Sequence, residues 1–281
     1  MALPRYATLG NYLWYYGFRL ICAAVFIFLI FPIIAIIPLS FNAQPLFTFT
    51  WEMITLRPEA FSLMHYQDFF TNPNWQLALQ NSFKIAPMAT LLSVSLGTLA
   101  AIGLSNPKMP YRKAITAVLI SPMIVPLIIS ALGMYFFYAR MNMTGSYWGV
   151  VLAHAALGTP FVIITITATL AGFDQSLVRA ASNLGAGPIR TFWSVQMPLI
   201  LPGIISGGLF AFITSFDEVV IIKFIGSAKQ FTLPVQMFIG LREQISLTIL
   251  AVASLMTLFS VVLLVTLELL RRRSEKLRIE G

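Results

Sequence analysis

Charge is scarce in this 281-residue chain: 10% of its residues are Asp, Glu, Lys or Arg, where a soluble domain carries about a quarter. A single cysteine, Cys22, excludes an internal disulfide framework and a thiolate metal site. There are two histidines, His65 and His154, one in an external segment and one in an apolar run, too few to ligate a metal together. No Gly-x-x-x-x-Gly-Lys-Ser/Thr phosphate loop and no His-Glu-x-x-His zinc motif occurs. The chain reads as non-catalytic, with no cofactor of its own.

Hydrophobic residues make up 58% of the sequence, and the mean hydropathy is +0.84. Charge-free runs of about 20 residues or more, the length a helix needs to cross the hydrocarbon, occupy 20–41, 85–104, 114–139, 148–172 (interrupted only by His154), 197–216 and 245–267. The expected fold is an all-α membrane protein of six transmembrane helices in one domain, 1–281. The first run is too long for a signal-peptide core and lacks a small-residue cleavage pattern. It follows an interfacial segment, 1–19, whose Tyr12, Trp14, Tyr15 and Tyr16 suit the headgroup layer.

The net charge of +8 is spread as a topology signal. Six spans place both termini on one side. The loops of that side hold Arg5, Arg19, Lys108, Arg112, Lys113, Arg179, Arg190, Arg271, Arg272, Arg273, Lys276 and Arg278. The longer loops of the other side, about 42–84, 140–147 and 217–244, hold Arg57, Lys84, Arg140, Lys223, Lys229 and Arg242. The positive-inside rule therefore puts both termini in the cytoplasm and argues against nucleic acid as a partner. The basic tail, 271–281, stops the last span and suits anionic membrane lipid.

Small residues recur every fourth position along Ser93, Gly97 and Ala101 and along Gly203, Gly207 and Ala211. In lipid such lines let helix backbones approach closely. Prolines at 32, 38, 122, 126, 160 and 202 each free a carbonyl that protein or water must satisfy. In the first external segment, Ser62 suits the N-cap of a helix over 63–70, and Pro73 the first turn of a second stretch through Ser82. Both lie where an external partner docks, or pack on the spans.

The segment 173–198 is the most informative. Asp174 suits the N-terminus of a short helix, Gly185 a left-handed residue that ends it, and Pro188 the start of a second helix. Ala180 and Ala181 leave the first helix a surface that another body approaches closely. Arg179-Ala180-Ala181, three residues, Gly185, nine residues, Val195, one residue, Met197-Pro198 resembles the cytoplasmic Glu-Ala-Ala loop of type I ABC importer permeases. The resemblance covers roughly 60–270, and 215–221 with Thr232-Leu233-Pro234-Val235 and Arg242-Glu243 and Ser246 resembles the spermidine/putrescine branch.

That resemblance implies a type I importer permease fold in the bacterial inner membrane. It implies two copies of an ATPase subunit that carry ATP and Mg and grip a coupling loop of Asp174, Arg179, Ala180, Ala181, Asn183, Leu184, Gly185, Pro188, Val195, Met197 and Pro198. It further implies a second, non-identical permease subunit and an extracytoplasmic substrate-binding protein. One departure stands out: Arg179 replaces the family's usual acid and Asn183 a common Asp, so the polar part of docking must differ.

Asp217 and Glu218 are adjacent acids at the end of an apolar run, placed to attract a cationic substrate from the membrane's outer rim or to end a helix in water beside Lys223. His154, near Thr159, either hydrogen-bonds to a neighbouring helix or lines the path with Thr159. A polyamine is the first-choice cargo, other amines or opine-like compounds the second. A secondary transporter, normally marked by repeated halves and intramembrane charges, and an intramembrane enzyme are the readings from other classes; copurification with an ATPase separates both from the importer.

Overall fold

The computed structural model describes residues 8–106, 108–172, 174, 176–243 and 246–279. Arg5, Phe173 and Gln175 lie outside them, as do the side chains of Glu243 and of Arg271, Arg272, Arg273, Lys276 and Arg278. The helices are α1 Leu9–Leu39, α2 Trp51–Ile54, α3 Met64–Thr71, α4 Pro73–Ser105, α5 Arg112–Ile124, α6 Leu127–Arg140 and α7 Tyr147–Ala171. They continue with α8 Ser176–Asn183, α9 Pro188–Thr191, α10 Met197–Phe216, α11 Val220–Ile225, α12 Leu233–Glu243 and α13 Thr248–Ile279. A π-helical turn, Phe192–Gln196, joins α9 to α10. Five helical stretches are single and long and apolar enough to cross a membrane, and α5 with α6 makes a sixth, bent by 105°. The chain is thus a multi-pass membrane protein in composition and in helix length.

Two units divide the chain, Met1–Thr71 with Gln244–Gly281, and Asn72–Glu243. In the first, α3 stitches the C-terminal end of α1 to the N-terminal end of α13. Ser40 Oγ and Tyr66 Oη lie 2.6 Å apart, buried His65 shares a hydrogen bond with the Asn42 carbonyl at 3.0 Å, and Thr248 Oγ1 donates to Asp68 at 2.7 Å. The end of α1 and the start of α13 therefore meet the same short helix. The two long helices run antiparallel. The expected helix after Ser62 is α3. It packs on the spans through His65 and Phe69.

In the second unit, three helices pack face to face. Tyr147 Oη donates to the Lys84 carbonyl at 3.0 Å and Ser93 Oγ to the Ala155 carbonyl at 3.0 Å, so α4 and α7 run parallel. α10 runs against both: His154 faces Ser215, and a Cβ at Gly158 would stand 3.0 Å from that of Ala211. The two small-residue lines make this packing. A Cβ at Gly97 would lie 2.7 Å from Val162 Cβ, and one at Gly203 2.5 Å from Thr169 Oγ1, so α7 sits almost on the backbones of its neighbours.

The second external stretch is no separate surface helix. Pro73 takes the first turn of α4, Asn72 Oδ1 accepts from the Asn74 N–H at 3.0 Å, and the helix continues unbroken to Ser105. Its 33 residues span about 50 Å at 1.5 Å per residue, so it projects beyond the hydrocarbon layer.

Because α4 and α7 are parallel, residues 106–146 must carry the chain back across the unit. α5 and α6 do so as one broken span, where the sequence suggests a single helix. Val125, placed before Pro126, is extended (φ −69°, ψ 135°), as the proline ring requires of its predecessor. Pro126 is extended too (φ −52°, ψ 129°). Two extended residues in succession turn the helix axis.

Candidate functional site

The two ends of the second unit carry the chemistry-bearing residues. At one end the chain leaves α7 and forms α8. Ser176 donates to Asp174 through its amide (2.8 Å) and its hydroxyl (2.6 Å), and these bonds, the hydroxyl's first, hold the Asp174 carboxyl below the usual carboxylate range. α8 ends in a Schellman motif. Gly185 takes φ +80°, its N–H donates to the Ser182 carbonyl at 3.0 Å, and that of Ala186 to the Ala181 carbonyl at 3.0 Å. Pro188 then occupies the first turn of α9.

No residue of α8 is buried within the chain. Leu177, Ala181 and Leu184 share one face at helical spacing, and Leu184 is 89% exposed. Arg179, Ala180 and Asn183 are exposed as well, and Ile189 and Trp193 add apolar surface beside them. A polar-soluble helix has no reason to present this much uncovered apolar area, so the face is built to be covered.

The second half of the segment is anchored. Thr191 is buried, and Phe192 and Met197 pack against the core formed by Ala101, Val162, Ile166, Leu170, Ile200 and Ile204. The π turn between them has a local cause. Pro198 has no N–H for the Ser194 carbonyl and its ring crowds that oxygen; widening the turn relieves the clash, and the Met197 N–H reaches back to Phe192 instead. Val195, Met197 and Pro198 thus sit where the exposed loop becomes the long helix α10. The sequence pattern marks these residues but not the π turn.

At the opposite end the two acids separate. Asp217 is exposed at the end of α10. Glu218 is buried, and its Oε1 accepts the Ile221 N–H at 2.9 Å, so its carboxylate satisfies the start of α11, whose Ile221, Ile222 and Ile225 are fully buried. Lys223 lies over the Phe231 ring, 5.5 Å from its centroid. A latch legible only in the structure ties this end together. Asn81 Nδ2 donates to the carbonyls of Lys229 and Phe231, both at 2.9 Å, and Ser82 Oγ accepts the Leu233 N–H at 2.9 Å.

His154 is 1% exposed and shares a 2.8 Å hydrogen bond with Ser215 on the neighbouring helix. Thr159 Oγ1 donates to its own helix at Ala155, 2.7 Å. Neither is brought to Asp217 by a described contact. Among the described residues no cluster of His, Cys, Asp and Glu could hold a metal ion.

The family model described as binding-protein-dependent transport system inner membrane component matches residues 93–276. The spermidine/putrescine transport system permease protein PotC of Haemophilus influenzae is 29% identical over 250 residues, covering 89% of this chain and 94% of that one. The putrescine transport system permease protein PotI of Escherichia coli is 30% identical over 240 residues, covering 82% of each. Among solved structures, a bacterial ABC transporter that imports the acidic polysaccharide alginate superposes with a TM-score of 0.74 at 14% identity, covering 96% of this chain and 99% of that one. At that identity the likeness concerns the fold.

Proposed function

Since the chain belongs to the binding-protein-dependent transport system inner membrane component family, we propose that it is the permease subunit that shapes half of an ATP-driven import path for a small organic cation, first of all a polyamine. Its relatives PotC and PotI are polyamine permeases, and the exposed Asp217 places a carboxylate at the end of the unit remote from α8. An amine of opine-like type is the second choice of cargo. The fold is that of an ABC importer permease.

One observation carries the reading: α8 is an uncovered helix joined through α9 and the π turn to a buried part of α10. A body that grips α8 moves α10, and through the Gly203, Gly207 and Ala211 contacts it moves α7. We assign that body to two copies of an ATPase subunit, which hold ATP and Mg; this chain binds neither and performs no chemistry. The distribution of basic residues among the loops supports a cytoplasmic side of the inner membrane for α8 and both termini. A second, non-identical permease completes the path, and a binding protein delivers cargo from outside. Each ligand state must favour one arrangement of the helices for the cycle to advance.

The test is copurification. The assembled complex retains its ATPase subunits, and thermal-shift measurements on the cognate binding protein show stabilisation by putrescine or spermidine. No stabilisation by either demotes the polyamine; no retained ATPase removes the importer reading.

A further inference from the structure

α5 starts at Arg112, beside Lys108 and Lys113; its 13 residues are about 20 Å long and the 14 of α6 about 21 Å, so neither alone crosses a hydrocarbon layer roughly 30 Å deep, and the two axes differ by 105°. The break at Val125 and Pro126 therefore lies inside the membrane, short of the far face. Backbone groups at that depth must be satisfied by protein or water, because lipid offers no partner.

The chain repairs one proline and leaves the other open. Pro122 has no N–H for the Val118 carbonyl, and Ser121 Oγ donates to that oxygen instead, at 2.8 Å. At Pro126 nothing equivalent occurs. The Val125 N–H goes to the Ser121 carbonyl at 3.0 Å, and those of Ile129 and Ser130 both go to the Pro126 carbonyl, at 2.9 and 3.2 Å. The carbonyls of Pro122, Met123, Ile124 and Val125 receive no hydrogen bond among the described residues. Four carbonyl oxygens without a partner thus lie at a turn inside the membrane, in which Met123, Ile124 (to 76%) and Val125 are exposed and Pro122 is half-buried. α5 and α6 themselves bring no negative charge to the turn: no Asp or Glu occurs in 69–173.

We propose that this broken turn lines the translocation path and that its carbonyls accept hydrogen bonds from the ammonium groups of the passing amine. The proposal rests on the reading of the chain as half of an amine import path. An ammonium group has donors and no acceptor, so it seeks an oxygen-rich, proton-free surface. Carbonyl dipoles replace its hydration without a fixed counter-charge, which keeps binding weak enough for release, as conduction through a path requires. The outer carboxylate of Asp217 attracts the cation, and the carbonyls of 122–125 pass it inward.

The experiment uses the assembled importer in proteoliposomes, with Cys22→Ser as parent and Ile124→Cys or Val125→Cys added; Val125→Cys serves if Ile124→Cys fails to assemble. The probe is trimethylammonium-ethyl methanethiosulfonate, a small cation that labels only thiols in water. Cysteine at the bend reacts, and the amine that the complex imports, supplied with its binding protein, slows the reaction several-fold. Pro126→Ala, which returns an N–H to the Pro122 carbonyl, lowers the uptake rate while the ATPase stays bound. Unreactive cysteines in a complex that still imports would show that another subunit covers the bend, and the proposal fails while the import reading stands. Reactivity that the imported amine leaves unchanged also overturns it. Failure of the parent to import an amine at all strikes the functional reading, a result the uptake assay gives on its own.

Discussion

The imidazole Nδ1 of His154 and the hydroxyl of Ser215 lie 2.8 Å apart and join α7 to α10. Nε2 of the same ring is buried without a partner, so Ser215 provides the ring's one polar bond among the described residues.

Ser215→Ala leaves the ring with no bond, and an unpaired buried polar group costs about 1–3 kcal/mol. The thermal midpoint of the purified complex should fall accordingly. His154→Leu added to Ser215→Ala should recover much of the loss, since both partners are then apolar. A double-mutant cycle on the midpoint reads the coupling; equal midpoints for parent and Ser215→Ala would mean that the bond contributes nothing.

Gly185 and Gly187 make a matched pair. A Cβ at either meets nothing within 4 Å, yet Gly185 has φ +80° and Gly187 φ −67°. Gly185→Ala therefore strains only the backbone, by about 1–2 kcal/mol, and loosens the end of α8; Gly187→Ala leaves α8 unstrained and touches only the N-cap of α9. ATPase retained on the purified complex should drop for the first alone. Equal retention would remove the Schellman end from the coupling argument.

Arg179 is exposed on α8, directly before Ala180 and Ala181. The ATPase surface opposite it should be acidic or neutral; where it is acidic, Arg179→Glu brings like charges together and should weaken the grip by about tenfold, or 1.4 kcal/mol. A lysine or arginine of the ATPase found at salt-bridge distance from Arg179 in a complex structure would contradict this.

Asp217 and Glu218 should now behave differently. Asp217→Asn reduces uptake at low amine concentration without changing stability, since the side chain is exposed. Glu218→Leu removes the acceptor of the Ile221 N–H and costs about 1 kcal/mol of stability, as a lost helix cap does, so the thermal midpoint falls. Parallel uptake and melting assays separate the two, and identical profiles would show that the acids act as one group.

The sequence reveals those features that depend on local chemistry. Asp174, Gly185 and Pro188 act through their own backbones and end or start helices as residue type dictates. The lines through Gly97 and Gly207 state close packing without naming the partner, and His154 states a need for a hydrogen bond without pointing to Ser215. Other features depend on direction or distance. Hydropathy counts 114–139 as one span because it measures length, and the turn at Val125–Pro126 leaves length unchanged; the spacing of Pro122 and Pro126 is the signal that marks it. Pro73 reads as the start of a short helix because polar Asn74, Gln76 and Gln80 mask its continuity with the apolar run. The paired acids look alike until the fold buries one and exposes the other.

On our proposal, this chain receives the stroke of an ATPase through α8 and α10. ATP-driven uptake of labelled polyamine into proteoliposomes, measured for the parent and for Leu184→Glu, tests it most directly. The parent should import only with ATP, the ATPase and the loaded binding protein, and Leu184→Glu, which puts a charge on the exposed face of α8, should still insert but lose uptake and retained ATPase together. Full uptake by Leu184→Glu, or uptake by the parent on an ion gradient without ATP, would contradict the account.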